Sequence, residues 1–105
     1  MYRDRHGTLW IGTQNGIDIF DYQKGTFKHF RSDVFSYKFI YDIGEDDNGD
    51  LWFCTRFDGI YRYNPDRGNL NHYSATGSRA VLTSNQIISF YKDSKSNLWF
   101  GTLGG

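Results

Sequence analysis

"DDNGDLWFCT", residues 46–55, is one of three versions of a single phrase. "DRHGTLWIGT" stands at 4–13 and "DSKSNLWFGT" at 93–102. The tryptophans are Trp10, Trp52 and Trp99, so the steps are 52 − 10 = 42 and 99 − 52 = 47 residues. Six positions before each stands an aspartate: Asp4, Asp46 and Asp93. Three before stands a small turn former, Gly7, Gly49 or Ser96, and three after stands Thr13, Thr55 or Thr102. Self-similarity at a fixed period of this size is the mark of a repeat architecture, and every other residue has to be read inside it.

The likeness extends past the tryptophan. "GIDIFD" (16–21) matches "GIYRYN" (59–64), and "KGTFKHF" (24–30) matches "RGNLNHY" (67–73). "IYDIGED" (40–46) lies over "IISFYKD" (87–93). Each block is short, rich in β-branched and aromatic residues, and bounded by turn chemistry, so each reads as a strand. The aspartate can accept hydrogen bonds from the turn backbone, while glycine supplies the positive φ that closes it. The pattern predicts strands at about 8–13, 16–21 and 26–31, then 38–45, 50–55, 59–64 and 69–74, then 86–92 and 97–102. Four antiparallel strands per period of 42–47 residues describe a β-propeller blade, so the fold class is all-β. Blades pack face to face, which explains why "LWIGT" is apolar without alternation, with Gly12 small enough for the next blade to approach.

D-x-x-G-x-L-W-I-G-T-x-x-G-I-x-x-F/Y resembles the two-component-regulator propeller repeat, and the resemblance covers essentially all 105 residues. It implies the sensor region of a hybrid two-component histidine kinase of the Bacteroidetes type, lying on the periplasmic side of an inner-membrane receptor. It also implies an oligosaccharide or other small extracellular ligand, and control of polysaccharide-use genes by output domains outside these residues. Departures are Cys54 for the usual glycine, Ser96 for the turn glycine, and a second-unit loop one residue longer.

Residues 1–37 read as a partial blade lacking its inner strand, 38–85 as a complete blade and 86–105 as a partial one. About two and a quarter blades cannot close a ring, so the reading is an excerpt of a larger propeller. The alternative is self-association of copies through their open blade faces, inner strand 86–92 completing the first blade of the next copy.

Twelve basic residues balance twelve acidic ones, leaving no field for nucleic acid or an anionic membrane. No apolar run approaches the roughly 20 residues that span a bilayer. One cysteine and three scattered histidines give no zinc spacing. His29 and His72 recur at one position of the repeat, which marks architecture rather than a unique site. The acidic run Glu45–Asp50 fails as an EF-hand, because counting back from Gly49 puts Gly44 at the first ligand position. Asp47 to Trp52 also fits part of the Asp-box turn, a folding device. No nucleophile elbow, phosphate loop or dinucleotide fingerprint is present, and no converging acid pair for glycoside hydrolysis, so neither catalysis nor a metal or cofactor is expected.

The non-repeating loop residues carry the binding expectation. Loops joining second to third strands, and outer strand to next inner strand, share one face of a propeller. On that face stand Gln14 and Asn15, the Arg31–Tyr37 segment with Asp33 and Tyr37, and the 74–85 loop with Arg79. Arg56-Phe57-Asp58, where the period gains its residue, offers an aromatic flanked by both charges. Sugars suit such a site, their CH faces stacking on the ring and their hydroxyls bonding the charged groups. The competing reading is that Phe57 tucks into the adjacent blade gap. For the tryptophans, their strand position favours packing over sugar contact. A glycan-acting propeller enzyme and a protein-interaction platform remain the alternatives to a sensor.

Overall fold

The computed structural model describes residues 1–73 and 87–102. Three antiparallel sheets follow one another along the chain. The first orders β1 (Tyr2–Arg3), β2 (Leu9–Thr13), β3 (Gly16–Asp21) and β4 (Thr26–Phe30). A short helix α1 (Ser32–Phe35) leads to the second, with β5 (Ile40–Glu45), β6 (Leu51–Thr55), β7 (Ile60–Asn64) and β8 (Asn69–Tyr73). The third pairs β9 (Ile87–Lys92) with β10 (Leu98–Thr102). These are the blades of a β-propeller, as the repeat predicted.

Two elements differ from the sequence reading. The first sheet does have an inner strand, because Tyr2 pairs with Trp10 and Arg3 with Leu9. Two residues are too short a run to carry a strand pattern. The 31–37 segment is not all loop, since Ser32–Phe35 forms one helical turn between Arg31 and Tyr37, both at positive φ.

The three phrases fold identically, and the structure shows why their aspartate and tryptophan keep step. Asp4 Oδ1 accepts the N–H groups of His6 and Thr8, both at 2.9 Å, while Oδ2 accepts Trp10 Nε1–H at 2.8 Å. Asp46 does the same for Asn48, Asp50 and Trp52 at 2.9, 3.0 and 2.9 Å. Asp93 repeats it for Lys95, Asn97 and Trp99, all at 2.9 Å. One carboxylate thus closes the turn and orients the indole, leaving no buried donor unmet. The third turn keeps its left-handed residue without glycine: Ser96 has φ 66, against 85 at Gly7 and 84 at Gly49. That conformation costs a non-glycine residue about 1–2 kcal/mol, and the Ser96 hydroxyl donates to Asp47 across the sheet boundary.

Packing between sheets uses both faces of β6, which is buried throughout. Leu51 and Phe53 join Trp10, Ile17, Phe35, Ile40, Ile43 and Tyr61 in the core between the first and second sheets. Trp52 and Cys54 face the other way and pack with Ile60 and Ile87, under the third sheet. Close approach is set by glycine: a Cβ on Gly12 would lie 2.8 Å from Ile40 Cγ2, and one on Gly44 would lie 1.9 Å from the Phe90 ring. Trp99 departs from the expected packing, being 60 % exposed, because among the described residues no further sheet lies over β10.

Ion pairs cross both boundaries at the same place in the repeat. Arg5 Nε meets Glu45 Oε2 at 2.9 Å, and Asp47 Oδ1 meets Lys92 Nζ at 2.7 Å. Arg5 and Asp47 are equivalent positions, as are Glu45 and Lys92, so the signs are exchanged from one boundary to the next. Glu45 also accepts the Tyr2 hydroxyl at 3.1 Å, and burial together with that carboxylate pushes the phenol up to about 12.

Cys54 fills the place where the repeat has glycine and is fully buried. Burial, with the nearby Asp42 charge, drives its thiol far above the ordinary value, so almost no thiolate exists at neutral pH. Native protein is expected to resist a thiol-specific aromatic disulfide reagent and to react stoichiometrically once unfolded; rapid reaction of native protein would place Cys54 outside the core.

Candidate ligand face

The loop after β6 is built by its threonine. Thr55 Oγ1 donates to the Gly59 carbonyl at 2.8 Å and accepts Asp58 N–H at 2.8 Å. Thr13 does the same in the first sheet, donating to the Gly16 carbonyl and accepting Asn15 N–H, both at 3.0 Å. Thus Thr13 and Thr55, each three residues after a tryptophan, shape the loop at this end of their blades. In the second loop, one residue longer, Arg56 and Phe57 are both exposed.

Neighbouring strands then fix that loop. Arg56 N–H donates to the Phe39 carbonyl at 2.9 Å, tying it to the segment entering β5. Lys38 Nζ lies 2.7 Å from Asp58 Oδ2, and the Tyr61 hydroxyl donates to the same oxygen. His72 stacks flat on Tyr61, centroids 4.2 Å apart, and its Nε2 hydrogen-bonds the Asp58 carbonyl. Partial burial pushes the Asp58 carboxyl up, but the Lys38 and Tyr61 hydrogen bonds, with the Lys38 and His72 charges, outweigh it and hold the group below the usual range. For Tyr61, burial and the Asp58 carboxylate act in the same direction and raise its phenol far above its ordinary value.

Above this clamp the Arg56 guanidinium lies over two rings, Phe57 at 4.8 Å and Phe39 at 5.7 Å. Phe39 in turn lies 4.8 Å from Tyr41. Phe57 does not tuck into a blade gap; it is 64 % exposed.

The structure thus brings Arg56, Phe57 and Asp58 together and adds Lys38, Phe39 and Tyr41, which the sequence reading missed. The signal available was an aromatic at alternate positions, Phe39 and Tyr41, where the inner strand begins. The other expected residues do not join them. Asp33 is held by Arg31 in a two-pronged pair at 3.0 and 3.1 Å, and that bond keeps its carboxyl below the usual range. Tyr37, almost fully exposed, lines a separate cleft of about 250 Å³ with Asn15, His29 and Phe30. Arg79 lies outside the described residues. His29 bonds its cross-strand partner Asp18 at 2.7 Å, as His72 stacks on its partner Tyr61. Among the described residues no group of three or more His, Cys, Asp or Glu is placed to hold a metal ion.

A family model described as two component regulator propeller matches residues 1–15, 35–57 and 81–104. These stretches cover more than half of the chain. The chain belongs to the two-component regulator propeller family. Histidine kinase P4 of Formosa agariphila is 36 % identical to it over 104 residues, covering 92 % of this chain and 8 % of that protein. The extracellular domain of BT3049 from B. thetaiotaomicron, named for a hybrid two component system, superposes with TM-score 0.82 at 29 % identity. It covers 99 % of this chain and 13 % of that one. The extracellular domain of BT4673 from the same organism gives TM-score 0.79 at 31 % identity, covering 96 % of this chain and 14 % of that one. This propeller chain therefore spans a small part of the length of the relatives it matches. No helix among the described residues is long and apolar enough to cross a membrane.

Proposed function

We propose that this chain is part of a non-catalytic, extracytoplasmic propeller sensor of a hybrid two-component receptor, and that its loop face recognises an oligosaccharide controlling polysaccharide-use genes. The similarity to extracellular domains named for hybrid two component systems supports the sensor role and its location. The observation that carries ligand recognition is the Arg56 guanidinium lying over the Phe39 and Phe57 rings, above a loop clamped by Lys38 and Asp58. Rings flanking a fixed cation give a sugar an apolar face to stack on and donors for its hydroxyls. The carboxylates near this face are already committed, which supports binding over hydrolysis. Asp58 holds Lys38 and Tyr61, Asp33 holds Arg31, and Asp42 accepts the N–H groups of Ile43 and Phe90. Such a ligand shifts a receptor only through unequal affinity for its two arrangements.

Calorimetry on the complete extracytoplasmic region tests this. Arg56→Ala and Phe57→Ala are each expected to weaken oligosaccharide binding by about tenfold or more, with the thermal transition unchanged, from the loss of a charged hydrogen bond or a stacking surface. Asp58→Ala weakens it too, by releasing Lys38 and the loop. Unchanged affinity in both Arg56→Ala and Phe57→Ala would remove this face from the binding site.

A further inference from the structure

The inner strand β5 carries a bulge. Ile40 pairs with Thr55 and Asp42 with Cys54, which leaves Tyr41 without a partner on β6. The third sheet repeats it: Ile87 pairs with Thr102 and Ser89 with Gly101, leaving Ile88. Tyr41 and Ile88 occupy the same position of the repeat, since 41 + 47 = 88. The residues just before them, Ile40 and Ile87, are buried at 4 % and 0 % exposure, while Tyr41 and Ile88 are turned outward at 38 % and 39 %. A bulge of this kind leaves one residue unpaired, breaks the ladder locally and re-aims that side chain. The inner strands β5 and β9 therefore each offer one outward position, and its identity changes from one blade to the next.

In the second blade that position continues the face already described. Tyr41 lies beside Phe39, Phe39 beneath Arg56, and Arg56 against Phe57, so the four make one strip. Charge along this strip is unbalanced. The Asp58 carboxylate is bonded to Lys38 and Tyr61, while Arg56 has no carboxylate within ion-pair distance among the described residues. Ring contact occupies the faces of a guanidinium and leaves its edge, with its paired N–H donors, for a ligand. That edge matches the two oxygens of a carboxylate or a sulfate ester. A neutral hydroxyl can accept from that edge, but it offers neither a second oxygen for the paired donor nor a charge to match the guanidinium.

Resting on the binding reading above, we propose that Tyr41, Phe39 and Arg56 form a subsite for an acidic sugar residue, carrying a carboxylate or sulfate ester, with Tyr41 as its specificity-determining platform. The acid group takes the guanidinium edge, and the sugar's CH face lies on the Tyr41 and Phe39 rings.

The test uses the complete extracytoplasmic region against an array of uronate-bearing, sulfated and neutral oligosaccharides, followed by calorimetry on the strongest hit. An acidic hit is expected, losing about tenfold or more in affinity when its charge is removed. Loss on carboxyl reduction identifies a uronate, and loss on desulfation identifies a sulfate ester. Arg56→Lys, which keeps the charge but not the two-pronged edge, should also lose about tenfold, as should Tyr41→Ala, whereas Tyr41→Phe keeps the affinity. A neutral hit, indifference to charge removal, or full affinity in both Arg56→Lys and Tyr41→Ala overturns the acidic subsite and leaves oligosaccharide recognition standing. Absence of binding by any oligosaccharide overturns the binding reading itself, and the subsite with it.

Discussion

Phe35→Ala is expected to destabilise the chain by about 3–5 kcal/mol, the range for truncating a large aromatic in a packed core. Phe35 is 1 % exposed and meets three rings: Tyr61 at 4.8 Å, Phe53 at 5.6 Å and Phe30 at 5.9 Å. These belong to both the first and second sheets, so Phe35 is the piece that seals one blade to the next from the connecting segment. A four-residue helix has almost no stability of its own, and burial of this side chain is what holds it. Loss of the ring therefore opens a cavity and frees the segment together. Urea unfolding measures the effect as a lower midpoint with similar slope. A loss under about 1 kcal/mol would show that the helix only rests on the core, since even a partly collapsed cavity exceeds that.

The second large effect belongs to Asp46, and a comparison with Asp93 isolates its cause. Both accept the same three hydrogen bonds, two from turn N–H groups and one from an indole. The surroundings differ: Asp46 is 6 % exposed, with Trp52 buried above it and Arg62 Nη2 3.8 Å from its Oδ2, whereas the Asp93 turn and Trp99 face water. A lost partner costs most where water cannot replace it, so Asp46→Ala should remove about 3 kcal/mol or more. Asp93→Ala should remove only a small part of that. Asp46→Asn is informative in between, since its amide keeps one acceptor but can turn a donor toward the indole N–H. Equal losses at the two positions would mean that the staple acts through the turn alone, without burial.

Most of the fold was legible because a strand seen three times is harder to misread than one seen once. The Asp–Trp spacing was visible in the sequence, although the bond that explains it was not, because a side chain reaching its own hairpin neighbour leaves only a spacing of six. The helix at 32–35 was not legible: Val34 and Phe35 are held by tertiary burial, and four residues show no period. The same ambiguity placed Phe35 among the loop residues, when it is core. At the candidate site, Arg56 and Phe57 stood out because the repeat lengthens there. Lys38 and Phe39 did not, since their partners lie about twenty residues ahead in another loop. Tyr41 is the clearest omission. A bulge flips a side chain against the alternation of its strand, so a pattern of period two assigns it to the wrong side.

The exchanged ion pairs at the two sheet boundaries have a consequence beyond their small individual energies, which for exposed pairs are of order 0–1 kcal/mol. Arg5 is complementary to Glu45, and Asp47 to Lys92. Were the first sheet to stack directly on the third, Arg5 would confront Lys92; were the second to stack on a copy of itself, Asp47 would confront Glu45. Both of these shuffled stackings set like against like, while the native order of the three sheets matches each sign. A chain built from repeats risks pairing the wrong copies as it folds, and here alternating polarity acts as a proofreading mark on their order.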